Sequence, residues 1–145
     1  LIFMGDSCEY ALEHFKLPVE DVIKEAKKVR CPGSYLQVEV KESGLTYGMK
    51  PKAAVYYSKD PVFSTFLPRS ITQKRRTPVT FGRRDLLLSG YLEGEEYLLR
   101  NSLVVDFSIE GGRIILIGPI VTYRAQSEGI YKIMFNALFT AAVGQ

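Results

Sequence analysis

Hydrolytic chemistry needs imidazoles, thiols or carboxylates gathered at one place, and this chain is poor in the first two. His14 is its one histidine, and Cys8 and Cys31 are its two cysteines. A catalytic zinc takes three ligands from His, Cys, Asp or Glu around an open position. His14, beside Phe15 on a predicted helix, therefore reads as a structural or surface residue, and no metal site is expected in this chain. The cysteines lack the CxxC spacing of a structural zinc pair, and nothing in their spacing says whether they join in a disulfide. A Ser-His-Asp triad would have to use His14 as base, and no GxSxG turn is present to hold its serine.

Cys8 is the one candidate nucleophile. It stands just after the run Met4-Gly5-Asp6-Ser7, where a strand would turn into a helix and the helix dipole would lower a thiol pKa. Against this, Cys8 shares a helical face with Ala11, Leu12 and Phe15, the pattern of a buried structural thiol. The segment YRAQSEG, from Tyr123 to Gly129, is the candidate binding element. It follows an apolar strand and opens the last predicted helix, so free amides and the polar groups of Arg124, Gln126, Ser127 and Glu128 are placed to meet an anion or a partner backbone. The competing reading has Ser127 capping the helix and Arg124 paired with a local carboxylate.

No phosphate-binding glycine loop occurs, because Gly111 and Gly112 fall in a hairpin. Lys74, Arg75 and Arg76, with Arg69, Arg83 and Arg84, lack interleaved aromatic residues, so they read as a solvated loop and no nucleic-acid partner is expected.

These residues need a scaffold, and the hydrophobic pattern supplies one. Leu1 to Met4 reads as a strand, Gly5 as a tight turn, and the following residues as a helix with Asp6 or Ser7 at its start. Pro18 is expected to open a second helix, with Glu20 and Asp21 in its first turn and Lys27 and Lys28 in its last. Tyr35 to Val40 and Ala53 to Tyr57 are predicted strands, joined by a loop containing Gly44, Gly48 and Pro51. Leu67 to Pro78 reads as an exposed, mobile connection because it holds two prolines and the basic cluster. Apolar structure resumes at Leu86 to Leu92, followed by a helical turn near Gly94 to Leu99. Leu103 to Ile109 and Arg113 to Ile117 form a predicted hairpin through Glu110, Gly111 and Gly112. Its second strand is apolar at every position from Ile114 to Ile117, as suits a strand covered on both faces.

The last helix is predicted over about Ser127 to Val143 and carries two apolar stripes. Ile130, Ile133, Met134, Ala137 and Leu138 form one; Tyr131, Phe135 and Phe139 form the other, leaving Lys132, Asn136 and Thr140 as a narrow polar edge. The second stripe is a candidate interface with a missing domain or another copy of the chain, including a homodimer; the alternative is a terminal helix with an apolar surface.

At 145 residues, 46% of them hydrophobic and 24% charged, the chain has the profile of one globular domain with a single core and not of a disordered segment. The formal charge of +3 is too small to indicate a polyanionic partner. No apolar run approaches the roughly 20 residues that cross a bilayer. The chain begins at Leu1 within a predicted strand, which reads as one accessory domain, residues 1–145, cut from a longer protein.

Four stretches in order carry a family resemblance: KLPVEDVIKEAKKVRCPGSYLQVEV, YGMKPKAAVYYSKDPVF, LLLSGYLEGEEYL and GGRIILIGPIVTYRAQSEGIYKIMFNALF. Together they resemble the C-terminal region of bacterial zinc carboxypeptidase family proteins, which is similar to class I glutamine amidotransferases. The resemblance implies a three-layer, flavodoxin-like α/β fold, a mixed sheet with helices on both faces, in a domain that need not be complete. It implies an upstream peptidase domain as partner and holder of the zinc, zinc-assisted hydrolysis of a C-terminal peptide bond as the parent reaction, and export from the cell. The chain departs from active amidotransferases at two places. Gly5, Asp6 and Ser7 stand where the reactive Cys is expected, and Glu128 stands where relatives carry a His before the final helix. A non-catalytic accessory domain is the expectation; the rivals are a degenerate cysteine hydrolase using Cys8 and a self-associating module.

Overall fold

Strands rich in apolar and β-branched residues build one mixed sheet, and among the described residues three segments become α-helix. The computed structural model describes residues 1–26, 28–68, 73–109 and 111–143. Lys27, Arg69 and Glu110, which entered the sequence reading, lie outside the described residues. In chain order the elements are β1 (Ile2–Met4), α1 (Ser7–His14), β2 (Val19–Asp21), α2 (Val22–Glu25), β3 (Ser34–Val40), β4 (Lys52–Tyr57), β5 (Phe63–Thr65), β6 (Lys74–Phe81), β7 (Leu87–Ser89), β8 (Ser102–Ile109), β9 (Gly112–Ile117) and α3 (Lys132–Ala142). Among the described residues the sheet has nine strands, with the main order β1-β9-β8-β6-β3-β4. The β1/β9 pairing is parallel and the others are antiparallel, so β1, β9, β6 and β4 all end at one edge of the sheet. The class is therefore mixed α/β with few helices.

β9 shows why the sheet has two covered faces. Ile115 and Ile117 join Leu36, Val38, Val55 and Val104 in the larger core, which α3 closes with Ile133 and Ala137. Ile114 and Leu116 point the other way, into a smaller core with Val105, Phe107, Phe63 and, from α1, Cys8 and Ala11. Burial at each successive position is what the unbroken apolar run requires. At the strand's start, Arg113 donates from Nε and Nη2 to the two carboxylate oxygens of the buried Asp106, at 2.8 and 3.0 Å, and from Nη1 to Thr140 Oγ1 at 3.0 Å. This bidentate pair ties the β8/β9 hairpin to α3.

Three expectations need correction. The second helix predicted from Pro18 is instead β2 followed by the single turn α2. Strand pairing with β5 takes the backbone of Val19–Asp21, and the Asp21 side chain accepts from Ile23 N and Val62 N, at 2.9 and 3.1 Å, which starts α2 late. The predicted mobile connection at Leu67 to Pro78 contains the first half of β6, which lies between β8 and β3. Pro78 is tolerated because the register to β8 shifts between Arg76 and Val79, so a ladder amide is not needed there.

The last helix also starts later, at Lys132, after short 3-10 turns at Tyr123–Ala125 and Glu128–Ile130. Its polar edge is tied to neighbouring elements. Asn136 Nδ2 donates to the Leu45 and Tyr47 carbonyls at 3.0 and 3.1 Å, Lys132 Nζ donates to Gly48 O, and Thr140 is buried against Arg113. Turning this edge toward the 44–48 loop rotates Leu138 out to 50% exposure, although it was expected to face inward.

Candidate functional site

Two loops leave the common strand edge and meet there. After β4, Asp60 folds back so that its Oδ2 accepts from Ser58 N at 2.8 Å, and Tyr57 Oη donates to the Asp60 carbonyl at 3.0 Å. After β9, Gly118 lets the chain pass against that loop; a Cβ at Gly118 would sit 1.9 Å from the Pro61 carbonyl oxygen. The chain then turns at Ile120, whose carbonyl accepts from Tyr123 N at 3.0 Å. This brings the Tyr123 ring onto Tyr56, with centroids 5.3 Å apart and planes 19° apart, while Tyr35 meets Tyr56 edge-on at 5.9 Å.

Tyr56, Ser58, Asp60, Ile120 and Tyr123 line a cavity of about 220 Å³. Burial pushes the Asp60 carboxyl above its ordinary range, and the charge of Asp6 adds to this; the amides of Ser58 and Ile120 pull it partly back. Among the described residues no cationic side chain forms an ion pair with Asp60. The arrangement offers aromatic surface, a hydroxyl and an unmatched carboxyl, which suits binding.

The YRAQSEG residues lie beside this cavity, but their partners draw them apart. Arg124 has φ 49°, and its guanidinium carbon lies 5.3 Å from the Tyr123 ring centroid. Gln126 Oε1 accepts from Tyr35 Oη at 2.6 Å. Ser127 makes no cap and donates instead to the Ala54 carbonyl on β4. Glu128 is exposed in the following turn. On α3, Tyr131 is half-buried, whereas Phe135 and Phe139 are 64% and 68% exposed.

Cys8 falls on the inner face of α1. Its Sγ donates to the Ile117 carbonyl at 3.5 Å, and burial pushes the thiol up to about 12, with Asp21 and Asp6 adding to the rise and the Ile117 contact opposing it. A thiol in that state supplies almost no thiolate at neutral pH. The cleft of about 340 Å³ beside it carries Asp6, Glu9 and Asp21 together with Lys24 and Lys59. His14 stacks on Tyr10 with centroids 4.0 Å apart and has Nδ1 2.9 Å from the Tyr10 carbonyl. Cys31 is buried and donates to the Tyr57 carbonyl at 3.4 Å; both thiols are free. Among the described residues no three His, Cys, Asp or Glu side chains gather as metal ligands. No described helix is long and apolar enough to cross a membrane.

Reading the sequence for chemistry passes over Tyr56, Ser58 and Asp60. The signal available was the run Tyr-Tyr-Ser-Lys-Asp-Pro closing a predicted strand, where aromatic side chains meet turn residues at a carboxyl end. Compared with known proteins, the chain matches no protein family, no curated protein and no solved structure.

Proposed function

We propose that this chain is a non-catalytic accessory domain of a longer zinc-carboxypeptidase-like protein, which supports or positions the peptidase domain or its substrate. The observation that carries this reading is the outer face of α3, where Phe135, Leu138 and Phe139 stand in solvent without a charged residue among them. Such a stripe costs solubility unless it is covered, and a neighbouring domain is the cover proposed. The finer fold, a three-layer flavodoxin-like arrangement, draws support from the parallel β1/β9 pair and from α1 entering directly off β1. On this reading the zinc belongs to the upstream peptidase domain, and no step is routed through this chain.

The test is Phe135→Asp with Phe139→Asp, made both in the longer protein and in the isolated chain. Both side chains are exposed, so each change should alter the stability of the isolated chain by no more than about 0.5 kcal/mol. In the longer protein the same change should separate the melting of the two domains and lower peptidase turnover. Unchanged melting and turnover would contradict docking through α3. The same stripe also favours self-association as a second reading, which concentration-dependent light scattering on the isolated chain distinguishes.

A further inference from the structure

We propose that the cavity lined by Tyr56, Ser58, Asp60, Ile120 and Tyr123 binds a small organic ammonium group, with the Asp60 carboxylate as counter-ion and the two tyrosine rings as its aromatic wall. This site stands independently of the accessory-domain reading. Asp60 is half-buried and held by backbone amides, and no ion pair reaches it among the described residues. Asp6 adds to the negative potential at Asp60. The neighbouring cleft differs in this respect, because Lys24 already pairs there with Glu9.

The ring geometry narrows the ligand further. Tyr56 and Tyr123 overlap with an offset, and Arg124 covers part of Tyr123, so neither ring presents the whole open face on which a pyranose would stack. A compact cation needs only part of a face. A cavity of about 220 Å³ accommodates a trimethylammonium head.

Titration with choline chloride at constant ionic strength tests this, against its neutral isostere 3,3-dimethyl-1-butanol and against N-acetylglucosamine. The readouts are the amide NMR shifts of Tyr56, Asp60, Ile120 and Tyr123, and tyrosine fluorescence, which is clean because the chain has nine tyrosines and no tryptophan. Choline should saturate shifts confined to the cavity, and the isostere should not. Asp60→Asn should weaken choline on the order of tenfold, Tyr123→Phe should keep binding, and Tyr123→Ala should lose it. Equal binding of the isostere, undiminished binding by folded Asp60→Asn, binding of the sugar in place of choline, or no localised shift at tens of millimolar choline would each overturn the proposal.

Discussion

The carboxylates near the two ends of β9 are treated in opposite ways. At the amino end, Asp106 is buried, and the Arg113 guanidinium meets both of its oxygens while also reaching Thr140 on α3. At the carboxyl end, Asp60 is half-buried beside a cavity and, among the described residues, is met by backbone amides and by no cationic side chain. A carboxylate matched by a cation within the fold serves the fold. One left unmatched at an open cavity costs stability and leaves its charge for something from outside.

The largest effect should fall on the matched end. Arg113→Ala would leave Asp106 buried beside an empty space and should cost about 3–5 kcal/mol in denaturant unfolding. A loss below about 1 kcal/mol would mean that water reaches Asp106 and that the contrast is false. Next comes the aromatic wall. Tyr56→Ala removes the stack with Tyr123 and the edge contact with Tyr35, and should cost about 1–3 kcal/mol in stability. Ser127→Ala, which frees the Ala54 carbonyl on β4, should cost about 1 kcal/mol.

The smallest effect, and the most informative in sign, is Asp60→Asn. The Asp60 carboxyl is raised above its ordinary value of 3.8, so the folded protein holds this proton more tightly than the unfolded chain. The stabilisation from that proton is complete below the ordinary value and is lost as pH rises through the raised one. Asp60→Asn should therefore match the wild type in acid and melt at the same or a higher temperature at neutral pH. A neutral-pH destabilisation would make Asp60 a structural residue like Asp106.

Much of this frame was legible in the sequence. The β8/β9 hairpin, the apolar β9 and the strand-turn-helix at residues 2–14 follow directly from residue period and turn chemistry. β2 and β6 did not, for a common reason. Val19–Asp21 and the basic start of β6 have no convincing alternation of their own and become strands by pairing with β5 and with β8 and β3. The cavity was hidden for a related cause. Tyr56 and Tyr123 are 67 positions apart in the numbering, and only the crossing at Gly118 brings their loops together. The exposed Phe135 and Phe139 were readable because helical spacing is local, whereas the use of Asn136 and Lys132 as ties to the 44–48 loop was not.

What separates a binding module from a degenerate hydrolase is the state of Cys8, and Cys31 is its internal control. Native protein treated with iodoacetamide, with each thiol followed separately by mass spectrometry, gives the most direct measurement. Both cysteines are buried, and the thiol of Cys8 is pushed up to about 12, so both should be alkylated slowly, at the common rate of global unfolding, and rapidly once denaturant is added. Rapid labelling of Cys8 in the native protein while Cys31 stays protected would contradict this account and restore a reactive thiol to the turn after β1.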